Sequence, residues 1–303
     1  MTRAAVNNQQ FSPYTGRFAP TPSGPLHFGS IVTALASFLQ ARSQQGLWLV
    51  RLDDLDTLRV KHGASDNILR TLQLLSLEWD GSVLYQSNRH AAYQDALESL
   101  FNQDLLYRCD CPRKETRGQT YPGTCRNRNV PLCHQASLRM RTGNTRIGFT
   151  DHIQGEYVRN LEQDIGDFIV QRADDIYGYA LTVVIDDDFQ GVTEIIRGAD
   201  LLASTPEQLW VHQHLGLTAP VYGHVPVATD AHGKKLSKHD AALNALLLAD
   251  PAELLIQALQ FLGQSTDPSL AGADTATVIQ QAIKNWDLSR VPKVPTIPKM
   301  TTV

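Results

Sequence analysis

The sequence lacks the features that stabilise small secreted proteins and those that anchor a chain in a membrane. Four cysteines occur in 303 residues and three of them cluster, which argues against a disulfide framework and predicts a reducing, cytoplasmic location. No apolar run reaches the roughly 18 residues of a membrane-spanning helix, so we expect no membrane partner. Residues 1–16 have no apolar core of the kind found in signal peptides, and they are predicted to form a flexible arm.

Charge is distributed unevenly along the chain. The net charge of −4 gives no overall sign of nucleic-acid binding. Residues 107–146, however, carry nine Arg or Lys against two acids, so this segment is +7 and the remainder is −11. A basic segment on an acidic protein is the pattern expected for a partner with a phosphate backbone. A solvated loop with a chance basic bias is the alternative.

The segment Pro20–Ser30 has the composition of a phosphate-binding loop. Gly24 and Gly29 allow the backbone to approach a ligand closely, and His27 adds a hydrogen-bonding group. The loop leads directly into an apolar helix, predicted over Ile31–Gln40, whose N-terminus would attract anions. The segment therefore predicts a nucleotide site at the start of a helix.

A second basic motif, Lys234–Lys238, follows a predicted strand at Val221–Thr229. Two lysines on either side of a serine can hold a triphosphate while charge develops on it during phosphoryl-type chemistry. Each motif alone also fits a solvated loop. The two together, in this order and next to these elements, predict one ATP site.

Both motifs resemble the two signatures of class I aminoacyl-tRNA synthetases. Segments 17–21 and 191–200 are similar to the glutamyl-tRNA synthetase branch, and the resemblance runs from about Arg17 to Ser237 before it fades. A full glutamyl-tRNA synthetase continues into a helical anticodon-binding region, whereas only 65 residues follow Lys238 here. This arrangement resembles the glutamyl-queuosine paralogs, which charge a modified base of tRNA(Asp). We therefore expect no anticodon-binding domain.

The resemblance implies an α/β fold. It consists of a Rossmann-like parallel sheet, split by a zinc-containing, acceptor-binding insertion and followed by a short helical C-terminal part. The implied divisions are a first catalytic half at 17–106, the basic insertion at 107–178, a second half with the lysine loop at 179–245, and the C-terminal part at 246–303. Strands are predicted at Leu47–Leu52 and Ala180–Ile185, and an extended or mobile tail at Arg290–Val303. Further helices are predicted at Ala64–Leu77, Ala91–Leu106, Ser204–Leu215, Pro251–Leu262 and Thr275–Trp286.

The resemblance also implies a two-step reaction. The α-carboxylate of L-glutamate attacks the α-phosphorus of ATP, with Mg²⁺ on the nucleotide, and the glutamyl group then passes to queuosine in the anticodon stem-loop of tRNA(Asp). Activation is expected to proceed without tRNA, in a monomer, by positioning and electrostatics alone. The catalytic residues implied are His27, Lys235 and Lys238. The ATP-binding residues implied are His27, Gly29, Ser30, Lys235 and Ser237.

Arginines suit a dicarboxylic substrate because the guanidinium offers a fixed fork of donors. Arg17 and Arg197 lie in the family-like blocks, and which of them takes the side-chain carboxylate stays open. Asp53 occupies a position where the family usually has Glu, and Tyr179 matches a family tyrosine, although it also fits an ordinary core aromatic. The glutamate-binding residues implied are Arg17, Phe18, Ala19, Pro20, Thr21, Asp53, Tyr179 and Arg197.

Three cysteines have the spacing C-x-C-x13-C, at Cys109, Cys111 and Cys125. Thiolates are preferred ligands of structural zinc, and a tetrahedral site needs a fourth ligand. Ligand chemistry alone favours Cys133 or His134, whereas the family resemblance implies Tyr121. Reduced, unligated cysteines are the alternative.

Three other features have less specific interpretations. The run Asp186–Asp188 is interpreted as a loop that shapes the sugar or tRNA-end site, and Asp54 and Asp56 as turn or capping residues. His212 and His214 are interpreted as structural or exposed, which leaves His27 as the histidine with a functional assignment. Two other functions remain open: a shortened glutamyl-tRNA synthetase that charges a tRNA 3′ end, and a catalytically silent RNA-binding paralog.

Overall fold

A computed structural model describes residues 14–112, 115, 120–230, 233, 247 and 249–298. The lysine motif at Lys234–Lys238 lies outside the described residues. In the described part of the chain, none of the helices combines the length and the apolar character needed to cross a membrane.

A parallel sheet forms the centre of the molecule. Strands β1 (Thr15–Phe18), β2 (Leu47–Leu52) and β3 (Leu84–Tyr85) pair in parallel, and so do β9 (Glu194–Gly198) and β10 (Val221–Val225). The Thr193 N–H donates to the Thr15 carbonyl at 2.9 Å, which brings the two groups together in the order β3-β2-β1-β9-β10. The predicted parallel sheet, divided by a long insertion, is therefore confirmed.

Helix α1 (Phe28–Ser43) lies across this sheet and is the core of the fold. It contacts β1, β2 and β9 on one side and the C-terminal helices α6 (Pro251–Phe261) and α7 (Thr275–Asn285) on the other. Its buried residues therefore extend around most of the helix instead of forming one stripe, as expected for a helix enclosed by protein. The remaining helices of the first half are α2 (Ala64–Leu74) and α3 (His90–Asn102).

The insertion contains its own antiparallel strands. Strands β4 (Leu106–Cys109), β5 (Ser137–Met140) and β8 (Phe168–Gln171) form one sheet, and β6 (Arg146–Asp151) pairs with β7 (Gly155–Asn160) as a hairpin. Between β4 and β5 lies the predicted cysteine-rich segment. Because the hairpin contacts β10, the insertion is also connected to the central sheet.

The predicted strand at Ala180–Ile185 is wrong, because these residues belong to helix α4 (Tyr179–Phe189). Its β-branched residues favour a strand locally, but the helix packs into an apolar cluster with α3 and α5 (Thr205–Leu215). Burial among helices overrides a weak local preference, and a short apolar run does not by itself distinguish the two structures.

The strand predicted at Val221–Thr229 is divided at Pro226, which has no N–H to donate. After it, β11 (Val227–Thr229) pairs in parallel with β12 (Thr296–Pro298). Within the described part of the tail, Thr296–Pro298 is therefore extended, as predicted, but it is paired and not free, whereas Arg290 ends a short helical turn. At the other end of the chain, β1 begins at Thr15, so the last two residues of the predicted N-terminal arm belong to this strand.

Candidate functional site

One cavity of about 430 Å³ opens at the carboxyl ends of the central strands. This edge is where open α/β sheets bind ligands. Its walls include every residue predicted to bind glutamate and the described residues predicted to bind ATP. These lining residues are Arg17, Phe18, Ala19, Pro20, Thr21, His27, Gly29, Ser30, Asp53, Tyr179 and Arg197.

His27 caps the helix that begins at this cavity. Its backbone is extended, and its ring Nδ1 accepts the Ser30 N–H at 3.1 Å. A β-carbon on Gly29 would lie 3.3 Å from two atoms of the His27 ring, so glycine allows the imidazole to lie across the first turn. Gly24 has φ +141°, a conformation that favours glycine. The loop and the first turn thus present backbone and imidazole to the same space.

The second basic motif cannot be placed in this cavity from the structure. Lys235, Ser237 and Lys238 lie outside the described residues, so their roles stay predictions. Pro226 and Val227, which precede the motif in the chain, line the cavity.

Arg17 already has a carboxylate partner within the protein. Its Nε and Nη2 donate to the two oxygens of Asp187 at 3.1 and 3.3 Å. The fully buried Arg51 donates to Asp187 at 2.6 Å and to Asp53 at 2.8 Å. Burial would raise the pKa of Asp187, but Arg17 and Arg51 outweigh it and lower the pKa to about 2. Two guanidiniums and two carboxylates therefore form a compensated, buried cluster.

Asp53, like Arg17, belongs to this cluster and also lines the cavity. It follows β2 directly, and only 8% of it is exposed. Burial raises the pKa of Asp53 to about 6, although Arg51 opposes the shift. Asp53 can therefore carry its charge at neutral pH and lose it in mildly acidic solution.

Arg197 is buried, and the described part of the chain offers it no opposite charge. It is 2% exposed, and its Nε and Nη2 donate to uncharged partners, His224 Nε2 and Thr205 Oγ1, each at 2.9 Å. Among the described residues, its Nη1 has no hydrogen-bond partner and no carboxylate pairs with the guanidinium. A buried, uncompensated cation is costly, so a cavity wall of this kind suits an anionic ligand.

The interpretation of Asp186–Asp188 as a site-shaping loop is wrong, because all three residues belong to α4. Asp187 holds the two arginines described above. Asp186 accepts from Tyr93 Oη at 2.6 Å and from Arg89 Nε at 3.1 Å, which connects α4 to α3. Asp188 is exposed. The run therefore anchors elements behind the cavity instead of lining it.

The neighbouring acidic residues have structural contacts. Asp54 accepts from the backbone and side chain of Ser87 at 2.8 and 2.7 Å, so it holds the short helix Gln86–Asn88 instead of a turn of its own. Asp56 is confirmed as a turn residue, because its carbonyl accepts from the Arg59 N–H at 2.9 Å, and its carboxylate also forms an ion pair with Arg172 at 3.0 Å. Tyr179, the first residue of α4, is 40% exposed at the cavity and is not an ordinary core aromatic.

The cysteine-rich segment brings three thiols together. The sulfur atoms of Cys109, Cys111 and Cys125 lie within 4.8 Å of one another. The Tyr121 hydroxyl lies 3.3 Å from the Cys109 sulfur and 3.5 Å from the Cys111 sulfur. The two other candidates are placed differently: Cys133 is exposed, and His134 faces Asp110 at 3.5 Å.

Several polar residues around the cavity were not predicted from the sequence. Arg51 and Asp187 join the buried cluster, and His224 with Asp151 lies behind Arg197. The pairing register of β9 and β10 identifies His224 as a neighbour of Arg197, because it places the two residues directly opposite each other. A buried histidine within a predicted strand was the local sign of such a contact.

The chain is similar to known proteins over nearly its whole length. The family model described as "tRNA synthetases class I (E and Q), catalytic domain" matches residues 14–131 and 131–295. The glutamyl-Q tRNA(Asp) synthetase of Dechloromonas aromatica (strain RCB) is 47% identical over 293 residues, which covers 93% of this chain and 97% of that protein. The enzyme of the same name from Pseudomonas putida (strain GB-1) is 47% identical over 290 residues, with 95% and 98% covered.

Solved structures show the same fold. A glutamate–tRNA synthetase from Elizabethkingia anophelis superposes with a TM-score of 0.79 at 24% identity, covering 96% of this chain and 68% of that one. A glutamate tRNA ligase from Elizabethkingia meningosepticum, solved in complex with its amino acid, has a TM-score of 0.78 at 23% identity, with 95% and 67% covered. At these identities the likeness establishes the architecture.

Proposed function

The chain belongs to the class I tRNA synthetases of the E and Q type, among the glutamyl-Q tRNA(Asp) synthetases, and from this premise we propose that it activates L-glutamate with ATP, without tRNA, and transfers the glutamyl group to queuosine in tRNA(Asp). It is a ligase of the synthetase type. The choice of amino acid, the independence of activation from tRNA, and the acceptor base are the proposed parts. A monomeric state and a cytoplasmic location stay predictions.

The observation that carries the proposal is the contrast between the two arginines of the cavity. Arg17 is compensated by Asp187, whereas Arg197 is buried and unpaired among the described residues. A substrate with a second carboxylate would supply the missing negative charge at Arg197. Glutamate has such a group, and glutamine does not.

Activation needs no protein nucleophile. Asp53 is expected to hold the α-ammonium of glutamate, and Arg197 the side-chain carboxylate, so that the α-carboxylate is directed at ATP. His27, the first turn of α1 and the lysine motif would stabilise the charge that develops on the phosphates, and Mg²⁺ would accompany the nucleotide. Pyrophosphate leaves, and glutamyl-adenylate remains bound for transfer.

The insertion is the proposed site for the anticodon stem-loop of tRNA(Asp). Its first part, residues 107–146, carries nine Arg or Lys against two acids, and its hairpin exposes Arg159 over the ring of Tyr157, at 4.8 Å from the centroid. Arginine and aromatic side chains are common partners of phosphates and unstacked bases in RNA loops. These features support an RNA partner and leave the identity of the base to experiment.

ATP–pyrophosphate exchange with glutamate, glutamine and aspartate, in the absence of RNA, tests the first step. Exchange that depends on glutamate is expected. Exchange only in the presence of tRNA would contradict the proposed tRNA-independent activation, and no exchange under either condition would favour the catalytically silent alternative.

Transfer to tRNA(Asp) with and without queuosine tests the second step. Labelled glutamate is expected on the queuosine-containing RNA alone. Label that is lost when the 3′ adenosine is removed would instead identify the chain as a shortened glutamyl-tRNA synthetase.

Glutamate binding is expected to weaken in acid. If the Asp53 carboxylate holds the α-ammonium, protonation near its raised pKa of about 6 removes that contact. The glutamate KM for exchange should therefore rise by about tenfold between pH 7 and pH 5, while free glutamate keeps its side-chain charge. Asp53→Asn should have a high KM at both pH values. A KM for the unchanged chain that is constant over this range would contradict the assignment.

The cysteine-rich segment has the donors of a structural zinc site. Three sulfur atoms within 4.8 Å and the Tyr121 oxygen beside them suit a tetrahedral ion. Cys109, Cys111, Tyr121 and Cys125 would hold it. Bound zinc would fix the segment between β4 and β5, where the apolar cluster is small.

Cys125→Ser is expected to remove this zinc. Metal analysis after gel filtration should give close to one zinc per unchanged chain and a small fraction per variant. Cys133→Ser is the matched control and should retain zinc, because Cys133 is exposed. Transfer to RNA should fall more than exchange in Cys125→Ser. Equal loss of both steps would mean that the metal supports the whole fold, and full zinc in the variant would exclude the site.

A further inference from the structure

We propose that Asp151 and His224 are positioning residues that orient Arg197 toward the substrate carboxylate. This inference rests on the proposed function, because it concerns the guanidinium assigned to glutamate. Asp151 ends β6 in the insertion, His224 lies on β10, and Arg197 lies on β9. The insertion thereby supplies a residue that acts on the amino-acid pocket through the central sheet.

The contact between Arg197 and His224 requires one tautomer of the histidine. The Nε of Arg197 carries a hydrogen and lies 2.9 Å from His224 Nε2. That nitrogen must therefore offer a lone pair, which leaves the ring hydrogen on Nδ1. Nδ1 lies 2.5 Å from Asp151 Oδ2, where a carboxylate accepts this hydrogen. Asp151 thus selects the tautomer that accepts from Arg197.

The Asp151 carboxylate is itself fixed. Its Oδ1 accepts three backbone N–H groups, from Ile153 at 3.0 Å, Gln154 at 2.8 Å and His224 at 3.0 Å. With one oxygen committed to the turn of the hairpin, the other is held toward the histidine ring. Gln154 adds a bond from its side chain to the His224 carbonyl at 2.8 Å. The backbone around both residues is therefore constrained.

The surroundings keep His224 neutral. Burial lowers the pKa of His224, although the hydrogen bond to Asp151 opposes the shift, and the cation of Arg197 acts with burial. The charged groups facing the ring are Asp151 from β6 and Arg197 from β9, with Arg17 on β1 further away. A neutral ring can accept from Arg197, whereas a protonated ring would present a donor and repel it.

Arg197 is consequently held by two uncharged acceptors. Thr205 Oγ1 accepts a hydrogen bond from its Nη2, and His224 Nε2 accepts one from its Nε. Nη1 is therefore available to a ligand. Fixing two of the three nitrogens orients the guanidinium fork without neutralising it. A carboxylate at the same place would orient the fork equally well, but it would compete with the substrate.

Asp151→Asn tests this arrangement with a nearly isosteric change. The three backbone N–H groups require an acceptor, so the amide oxygen should take the Oδ1 position and the NH₂ group should face His224. Nδ1 must then accept, and the ring hydrogen moves to Nε2, where it opposes the Nε hydrogen of Arg197. The glutamate KM for exchange should rise roughly tenfold or more, in the range expected for a lost hydrogen bond to a charged group. The KM for ATP should change little.

Nitrogen-15 NMR of histidine-labelled protein gives a readout independent of activity. The unchanged chain should show His224 with its hydrogen on Nδ1, and Asp151→Asn should show it on Nε2. Glu156→Gln, at an exposed carboxylate in the same hairpin, is the matched control and should change neither the tautomer nor the KM. In a His224→Leu chain, adding Asp151→Asn should cause little further rise in KM, because the effect passes through the ring.

The outcomes separate this inference from the proposed function. If the unchanged chain exchanges with glutamate but Asp151→Asn has the same glutamate KM, the positioning role is excluded. A hydrogen on His224 Nε2 in the unchanged chain would also exclude the positioning role. Additive effects of His224→Leu and Asp151→Asn on the glutamate KM would exclude it as well. If the unchanged chain shows no glutamate-dependent exchange, with or without tRNA, the proposed function fails first, and the role of Arg197 fails with it.

Discussion

Replacing Asp187 by leucine is expected to lower the free energy of unfolding by about 3–5 kcal/mol. The carboxylate is buried and lies against two guanidiniums, Arg17 at 3.1 Å and Arg51 at 2.6 Å. Without it, Asp53 and the more distant Asp186, 4.0 Å from Arg51 and already paired with Arg89, are the carboxylates left beside two buried arginines. The loss therefore comes mainly from uncompensated charge, since leucine has the same number and branching of side-chain heavy atoms.

Urea denaturation of the unchanged chain and two variants measures this effect. Asp188→Leu is the matched control, because Asp188 is the next residue of the same helix but is exposed. It should change the free energy of unfolding by less than about 0.5 kcal/mol. If Asp187→Leu were as stable as the control variant, the cluster would contribute orientation only, and its charges would not be balanced as described.

Replacing Arg197 by methionine is expected to reduce kcat/KM for glutamate by about 100-fold or more, because one partner of a buried, charge-assisted contact is lost. Stability should behave differently. Since Arg197 lacks a paired carboxylate among the described residues, an apolar side chain of similar length should leave the free energy of unfolding unchanged or higher.

Exchange kinetics and urea denaturation together test this expectation. Arg70→Met, at an exposed position on α2, is the control and should retain both activity and stability. Loss of stability in parallel with activity would mean that Arg197 supports the fold and is not kept for a ligand. Unchanged kcat/KM would remove it from the pocket.

Local patterns predicted the elements that surround the cavity. The loop Pro20–Ser30 and the helix after it are continuous in sequence, so composition and order were sufficient to predict them. The strand Leu47–Leu52 was predicted with its observed bounds, because it is a short apolar run between turns. The helices at 205–215, 251–261 and 275–285 were also close to their predicted positions.

The charge arrangement could not be predicted in the same way. Arg17 and Asp187 are 170 residues apart, and Asp151 and His224 are 73 apart, so only the fold brings them together. The error at Ala180–Ile185 led to the second error at Asp186–Asp188. Asp186 and Asp187 lie near the C-terminal end of helix α4. From there Asp186 contacts Tyr93 on α3, and Asp187 contacts Arg17 on β1.

The position of the insertion affects the order in which the protein can fold during synthesis. Thr15, at the start of β1, pairs with Thr193, which is synthesised 178 residues later. Until then the edge of β1 that faces β9 in the folded protein is uncovered. At about 5–20 residues per second, a ribosome needs on the order of 10–40 s for that length. During this time the edge of β1 has no neighbour and Arg17 has no carboxylate from α4. Nascent chains stalled before α4 should therefore be the stage at which this sheet edge is most exposed to association and chaperone binding.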